Sequence, residues 1–352
     1  MKYLKFLSLI ILCTIAFHAV AQQDSIVVAT TVDQFKAEKL YNEGVKLLEQ
    51  KNYTGAIKLF NDVVAMEPQF DKAYANRGIA LVELKNFADA VKDFDKALSI
   101  NETGYAHYGK GKALYGLNKL NESFEAFSKS IEMDSTNPQA FYYRAGILFQ
   151  FAKYQEAIAD YDATVAIDKN FAFAYNDRAS AKRQLQDYKG AVEDYTRALI
   201  IDDKSAFIYN NRGSAKILLE DYTGAIDDFD KAIKLKSDYH IAYNNRGKAR
   251  MELKDFGAAI NDFDQALKYK PDYAYAFNNR GSAKHKQEKF KEAIEDFNKA
   301  ITLDEKYAYA YLNRGISKEM LRDDKGACED WQKAAELGLA IATNYVNLQC
   351  NR

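Results

Sequence analysis

A repeat with a period of 34 residues constrains this chain more than any other feature of its sequence. One small residue recurs nine times at this spacing, with a single step of 33 residues. These small residues are Gly44, Gly78, Gly111, Ala145, Ala179, Gly213, Gly247, Gly281 and Gly315. The nine units run from residue 37 to residue 339. A period of this length indicates stacked supersecondary units, none of which buries its apolar face alone.

Each unit has the pattern of two amphipathic helices. If the small residue is position 8 of its unit, position 4 is usually aromatic, position 20 usually alanine, position 24 aromatic and position 27 usually alanine. In the second unit these residues are Tyr74, Ala90, Phe94 and Ala97. Positions 20, 24 and 27 lie on one face of a helix, so the pattern predicts a second helix that packs these side chains inward.

This pattern resembles the tetratricopeptide repeat, which has a large residue at position 4, glycine or alanine at 8, alanine at 20, an aromatic residue at 24, alanine at 27 and proline at 32. Pro68 and Pro271 occupy position 32 in two units, and the resemblance covers about 300 of the 352 residues. It implies an all-α, right-handed superhelical solenoid of about nine helix pairs, with the first helices lining a concave groove. Position 7 departs from the family pattern, because it is usually arginine here and leucine in the family.

The N-terminus has the pattern of a secretory signal peptide over residues 1–21. Lys2 and Lys5 precede an apolar run at residues 6–17, and small residues at Ala19 and Ala21 mark a cleavage site. An uncleaved anchor helix is the alternative; lipidation at Cys13 is disfavoured by the bulky preceding residue. We therefore expect an exported chain, in the periplasm or outer envelope or secreted, with no membrane span after cleavage. Residues 22–36 are expected to form a flexible lead.

The C-terminus is expected to carry a capping helix at residues 340–352, because Gly338 interrupts the last repeat helix. Cys328 lies before this break and Cys350 after it, at similar distances along the chain. On two antiparallel helices their side chains could therefore lie next to each other. Export to an oxidising compartment would permit a disulfide between them. Two separately buried thiols are the alternative.

Arginine at position 7 and aspartate at position 23 vary together among the units. Seven units have both residues, and the first and third units have neither. This correlation predicts ion pairs between the two helices of one unit. The predicted pairs include Arg212 with Asp228, Arg246 with Asp262 and Arg280 with Asp296. A row of anion-binding arginines is the alternative.

Asparagine recurs in the middle of the first helix, where its helix propensity does not explain its presence. It occupies position 6 as Asn76, Asn211, Asn245, Asn279 and Asn313, and position 5 as Asn210, Asn244 and Asn278. A carboxamide offers both donor and acceptor, so a row of them could hold the backbone of an extended peptide. The arrangement resembles the asparagine ladder of the O-linked N-acetylglucosamine transferases. Aromatic residues at position 2, which are Phe173, Phe207, Tyr275 and Tyr309, could add apolar contacts. The alternative is that the asparagines connect neighbouring helices or reflect the common ancestry of the repeats.

The sequence has no motif for a cofactor, a metal or catalysis, and its formal charge of −1 disfavours a nucleic-acid partner. We therefore predict a non-catalytic protein-interaction scaffold that binds a peptide segment or partner protein in its groove and assembles an envelope complex. Recognition of a carbohydrate or peptidoglycan strand by the same groove is the alternative, because aromatic rings and carboxamides also suit sugars. The sequence does not indicate the oligomeric state.

Overall fold

The computed structural model of the chain describes residues 32–350, and every regular element within that range is helical. The predicted signal peptide and residues 22–31 of the predicted lead lie outside the described residues. In chain order the helices are α1 (Val32–Glu49), α2 (Tyr53–Met66), α3 (Asp71–Glu83), α4 (Phe87–Ile100), α5 (Gly104–Gly116), α6 (Leu120–Met133), α7 (Pro138–Gln150), α8 (Tyr154–Ile167), α9 (Ala172–Gln184), α10 (Tyr188–Ile201), α11 (Ala206–Leu218), α12 (Tyr222–Leu235), α13 (His240–Glu252), α14 (Phe256–Tyr269), α15 (Ala274–Lys286), α16 (Phe290–Leu303), α17 (Ala308–Met320), α18 (Asp324–Glu336) and α19 (Ala340–Tyr345), followed by a π-helical segment at Val346–Cys350. The predicted all-α repeat of helix pairs is confirmed.

The chain forms two compact units, which divide between Phe151 and Ala152. Unit 1 contains α1–α7 and unit 2 contains α8–α19. Within each unit, the two helices of a repeat pack together, and the second helix packs against the first helix of the next repeat. Successive first helices also touch, as α11, α13, α15 and α17 do in unit 2. The first helices therefore form one layer and the second helices another.

The core of each repeat is an aromatic ring packed on a small residue. Phe94, Phe229 and Phe263 at position 24 are fully buried. A Cβ atom added to Gly247 would lie 2.6 Å from Cε1 of Phe263, and one added to Gly213 would lie 2.8 Å from Cε1 of Phe229. Position 8 is small because the ring occupies the space where a larger side chain would stand.

A left-handed residue ends the first helix of every repeat. Nine non-glycine residues have φ between 58° and 63°, namely Lys51, Lys85, Asn118, Ala152, Gln186, Glu220, Lys254, Glu288 and Arg322. In five repeats the next residue caps the second helix with its side chain, as Asp221 does by accepting from the backbone N–H of Gly224 at 2.9 Å. This turn reverses the chain in a few residues and sets the two helices side by side.

A largely buried arginine connects three helices in each of six repeats, through an ion pair within its own repeat and a hydrogen bond to the preceding one. Arg246 on α13 donates through Nε and Nη2 to Asp262 on α14, with Nη2 2.6 Å from the carboxylate. Its Nη1 reaches Asp230 on α12 of the preceding repeat at 2.5 Å. Arg250 contacts the second oxygen of Asp262 at 2.9 Å. The same pairs, with Nη2–carboxylate distances of 2.5–2.6 Å, are Arg77–Asp93, Arg178–Asp194, Arg212–Asp228, Arg280–Asp296 and Arg314–Asp330.

These arginines are structural links. The aspartates of these six pairs are only 1–7% exposed, so each carboxylate needs the cations that surround it. In unit 2 a lysine or arginine four residues after the position-7 arginine supplies the second cation, as Lys216 does for Asp228 at 2.8 Å. The guanidinium groups point toward the second helices and are occupied by carboxylates there. This geometry favours the ion-pair interpretation over a row of anion-binding arginines.

The C-terminal cap occupies the place of the first helix of a further repeat. Gly338 has φ +88° and follows the end of α18. Ala342 of α19 is buried, and the ring of Tyr345 lies 5.0 Å from that of Trp331. Cys328 and Cys350 form a disulfide with an Sγ–Sγ distance of 2.07 Å, which attaches the end of the cap to α18.

Both ends of the repeat array differ from the predicted boundaries. α1 begins at Val32, so residues 32–36 are helical and not part of a flexible lead. The repeat pattern begins at position 1 of the first unit, residue 37, so it does not indicate where a helix that extends before that residue starts. The cap is α-helical to Tyr345 and π-helical at Val346–Cys350, and residues 351–352 are outside the described range. None of the helices in residues 32–350 combines the length and apolarity that crossing a membrane requires.

The left-handed turns predict a stabilising glycine substitution. Lys254 has φ 62°, where a Cβ atom is unfavourable, and its side chain is exposed. We expect Lys254→Gly to raise the free energy of unfolding by about 0.5 kcal/mol, because relief of the left-handed strain exceeds the entropy that glycine adds to the unfolded chain. Lys248→Gly, at an exposed position inside α13, should lower it by about 1 kcal/mol. Urea denaturation followed by circular dichroism measures both; a lower midpoint for Lys254→Gly would contradict the assigned turn.

The buried charges predict very different costs for two neighbouring aspartates. Asp262→Asn leaves Arg246 and Arg250 without their buried carboxylate, and should lower the free energy of unfolding by about 3 kcal/mol. Asp264→Asn, two residues later on the same helix, removes a half-exposed partner of Arg280 and should cost less than about 1 kcal/mol. Equal shifts of the urea midpoint for the two variants would show that the burial of Asp262 does not increase its contribution to the free energy of unfolding.

Candidate functional site

The candidate binding residues of unit 2 lie on its layer of first helices. Positions 2 and 6 are four residues apart and therefore share one face of a helix. On α9, α11, α13, α15 and α17 this face carries Phe173, Phe207, Ile241, Tyr275 and Tyr309 at position 2, and Asp177, Asn211, Asn245, Asn279 and Asn313 at position 6. These ten residues are called the first-helix surface below.

The asparagines of unit 2 form a hydrogen-bonded ladder from repeat to repeat. The position-6 carboxamide of each repeat donates from Nδ2 to the position-5 Oδ1 of the preceding repeat. The four rungs are Asn211 to Asn176 at 3.1 Å, Asn245 to Asn210 at 3.0 Å, Asn279 to Asn244 at 2.9 Å, and Asn313 to Asn278 at 3.0 Å. The ladder therefore joins each first helix to the next one.

The two positions of the ladder differ in their access to solvent. Asn210, Asn244 and Asn278 at position 5 are only 4–6% exposed. The structure places them between the helices and away from the ligand-accessible face, so they are connectors of neighbouring helices and not the peptide-binding residues that the sequence suggested. A buried amide requires a partner, and the next repeat supplies it.

The position-6 carboxamides are half-buried and keep capacity for a ligand. Each carboxamide oxygen has two lone pairs, and the ladder uses at most one of them. For example, Oδ1 of Asn279 accepts one long bond of 3.5 Å from Asn278. Nδ2 of the same side chain has two N–H groups, one of which bonds Asn244. The carboxamide oxygens of Asn211, Asn245, Asn279 and Asn313 can therefore still accept from a ligand. Nδ2 of Asn245 and of Asn313 also donates to Ser214 and Ser282 of the preceding repeat.

Unit 1 uses a tyrosine version of the same contact. Asn76 donates to the hydroxyl of Tyr41, which stands at position 5 of the preceding repeat, at 2.9 Å. The hydroxyl of Tyr105 donates to Oδ1 of Asn76 at 3.0 Å. In the third repeat positions 5 and 6 are Tyr108 and Gly109, both buried, so the asparagine row ends there. Asn76 is thus enclosed by tyrosines and is a weaker candidate than its counterparts in unit 2.

Aromatic side chains line the first-helix surface beside the ladder. Phe173 and Phe207 stack across two repeats, with ring centroids 6.0 Å apart and planes 10° apart. Tyr275 is 43% exposed and Tyr309 55% exposed. Ile241, at 37% exposure, fills the position between Phe207 and Tyr275. Ile241 was not among the predicted binding residues because it is not aromatic, although position 2 of its repeat assigns it to the same row.

Tyrosines that precede the first helices widen this aromatic area. Tyr307 lies before α17 with its ring 5.1 Å from Tyr275, and Tyr273 lies before α15 with its ring 5.8 Å from Tyr275. Tyr275 therefore stands between two edge-on tyrosines. Desolvation raises the pKa of Tyr273 from its ordinary value to about 12, so its phenol stays neutral well above physiological pH. Tyr273 and Tyr307 were not predicted as binding residues, because position 34 precedes the first helix and was not assigned to the binding face.

Charged groups are sparse among these residues. Asp177 is the single ionisable side chain at position 6, and position 2 has no acidic or basic residue in the repeats of α9 to α17. Among residues 32–350 no group of three or more histidine, cysteine, aspartate or glutamate side chains is placed to hold a metal ion. The surface offers amide groups, phenol hydroxyls and flat apolar faces, which suit binding by hydrogen bonds and stacking.

Comparison with known proteins places these features in a family. Sequence models of the tetratricopeptide repeat match residues 71–103, 108–170, 174–204 and 274–307, and a TPR repeat model matches residues 213–254 and 247–288. A TPR repeat-containing protein of Methanocaldococcus jannaschii is 30% identical over 113 residues, which is 30% of this chain and 20% of that protein. The chain thus matches about a fifth of the length of this curated relative.

Two solved structures share the fold. A tetratricopeptide repeat protein from Parabacteroides merdae has a TM-score of 0.59 at 20% identity, over 70% of this chain and 98% of that chain. The C-terminal part of a TPR repeat-containing protein from Cytophaga hutchinsonii has a TM-score of 0.56 at 16% identity, over 68% of this chain and 98% of that chain. The sequence matches cover more than half of the chain and agree with this shared fold, so the chain belongs to the tetratricopeptide repeat family.

Proposed function

We propose that this chain is a non-catalytic interaction scaffold that binds an extended segment of a partner protein along the first-helix surface of unit 2. Proteins of the tetratricopeptide repeat family bind protein or peptide partners. The observation that carries the proposal is the row of half-buried carboxamides at Asn211, Asn245, Asn279 and Asn313, which retain hydrogen-bonding capacity next to exposed aromatic rings.

Carboxamides and aromatic rings have complementary tasks in such binding. An extended peptide presents backbone N–H and C=O groups that are unpaired within the peptide, and a carboxamide can bond either of them. Rings such as Tyr275 and Tyr309 offer large contact areas with few rotatable bonds, so ordering them on binding costs little entropy. Backbone bonding would hold many sequences, and the rings would select among them.

We further propose that the chain is exported and assembles a complex in the cell envelope. Two features support this location. Residues 1–21 have the composition of a signal peptide, and the Cys328–Cys350 disulfide would persist in an oxidising compartment. A disulfide between the cap and the last repeat suits a protein that works outside the cytosol, because thiols inside the cytosol are kept reduced.

Binding of a carbohydrate or peptidoglycan strand is the second candidate. The exposed rings of Tyr275 and Tyr309 beside Asn279 and Asn313 favour it, because aromatic faces stack on sugars and amides bond hydroxyl groups. The peptide remains the first proposal, since the ladder provides one equivalent group per repeat along a line, as a regular backbone requires.

Photo-crosslinking in whole cells tests the proposal. A benzophenone amino acid at Tyr309, on the first-helix surface, should crosslink to a defined segment of a partner protein. The same group at Ile200, which is 71% exposed on the second helix α10, serves as the control and should give no such product. Fractionation of the same cells should place the chain in the periplasm or outer envelope.

Three results would contradict the proposal. Equal protein crosslinks from Tyr309 and Ile200 would remove the first-helix surface as the binding face. Crosslinks from Tyr309 to glycan alone would favour the carbohydrate alternative. Recovery of the chain in the cytosol would refute export.

A further inference from the structure

We infer that the segment bound by unit 2 is a proline-rich chain in the polyproline II conformation that meets the protein at every third residue. This inference rests on the proposed function and specifies the chemistry of its ligand. It follows from the repeat distance of the surface, from the shape of its aromatic slot and from its charge.

The repeat distance is the first argument. Successive first helices of unit 2 touch, and helices in contact lie about 8–10 Å apart. Each repeat therefore offers one position-6 carboxamide and one position-2 side chain at roughly this interval. A polyproline II helix has three residues per turn and a rise of about 3.1 Å, so equivalent residues recur about every 9 Å. A β-strand repeats every two residues, about 7 Å, and would lose register with the helices within a few repeats.

The aromatic slot is the second argument. The ring of Tyr275 is held between Tyr273 and Tyr307, at centroid distances of 5.8 and 5.1 Å and with interplanar angles above 60°. Tyr275 is 43% exposed, so part of this ordered ring remains accessible to a ligand. Proline rings dock on aromatic faces, and the polyproline II conformation loses little entropy on binding because it is already extended.

The hydrogen-bonding pattern agrees with such a ligand. A polyproline II chain has no internal hydrogen bonds, so its carbonyl groups and the N–H groups of its non-proline residues all seek partners. Asn279 keeps one N–H group beyond its ladder bond and a lone pair on Oδ1, and so can meet either. Proline has no N–H, so a chain with proline at every third residue presents fewer unpaired donors than other extended segments.

Charge is the third argument. Position 2 has no ionisable carboxylate or ammonium group on α9 to α17, and position 6 has only Asp177. Apart from the exposed Lys248 on α13, an acidic or basic segment would lie over amides and rings that do not compensate its charge. The surface thus suits a neutral ligand of prolines and small or apolar residues.

Defined synthetic peptides test the inference by fluorescence anisotropy with the full mature chain. The probe is a labelled fifteen-residue neutral peptide with proline at every third residue. Its control has the same composition with the prolines grouped at irregular spacing. We expect the periodic peptide to bind at least about tenfold more tightly than the irregular one. Lengthening the periodic peptide by whole triplets should strengthen binding, whereas adding a single residue should change it little.

Variants of the slot connect the binding to the surface. Tyr275→Ala should weaken binding of the periodic peptide at least about tenfold, whereas Tyr275→Phe should retain most of it because the stacking face remains. Ile200→Ala, on the opposite layer, should leave affinity unchanged. Tyr275 is 43% exposed, so its variants should fold, which circular dichroism verifies.

The outcomes separate this inference from the function on which it rests. If periodic and irregular peptides bind equally and Tyr275→Ala weakens both, the inference is overturned and the peptide-binding function stands. If the periodic peptide binds more tightly but is insensitive to Tyr275→Ala, the assigned slot is wrong and the inference fails. If neither peptide binds and a chitin or peptidoglycan oligosaccharide does, both proposals fail.

Discussion

Each repeat of this chain is incomplete until the next one stacks on it. The aromatic ring at position 24 closes a helix pair on its small residue at position 8, as Phe263 does on Gly247. That contact leaves the outer face of the second helix to be covered by the following repeat. No further repeat follows the ninth one within residues 32–350, and α19 packs on it instead. The Cys328–Cys350 disulfide attaches this cap. The stack, its ends and its exposed layer all follow from this one requirement.

Polar contacts between repeats give the stack its register, which apolar packing alone would specify weakly. Arg246 holds its own Asp262 and the preceding Asp230, so the second helices of two repeats are aligned by one guanidinium fork. On the other layer the asparagine ladder aligns the first helices. The same ladder fixes the position-6 side chains at a regular interval, so the groups proposed to bind a ligand are ordered before it arrives.

Much of the architecture could be predicted from the sequence because the repeat averages out local ambiguity. The helix pairs are confirmed, and the covariation of positions 7 and 23 indicated contacts that the structure contains.

The roles within the site were harder to predict. Asn244 and Asn245 are adjacent and chemically identical, yet a rotation of about 100° between neighbouring residues puts one inside the stack and leaves the other half-buried on its face. Ile241 was not predicted because it occupies position 2, like its aromatic neighbours, but is aliphatic. The start of α1 at Val32 lies outside the repeat pattern, and so no periodic signal marked it.

The asparagine ladder links neighbouring repeats energetically, and a double-mutant cycle measures the strength of that link. Asn244→Ala, Asn279→Ala and the double variant are compared in urea unfolding, with Asn176→Ala and Asn279→Ala, three repeats apart, as the uncoupled control. Each single change at the rung leaves a polar partner unsatisfied, so we expect a coupling energy of about 1 kcal/mol for Asn244 with Asn279 and none for the control pair. Strictly additive losses at the rung, within about 0.3 kcal/mol, would contradict it.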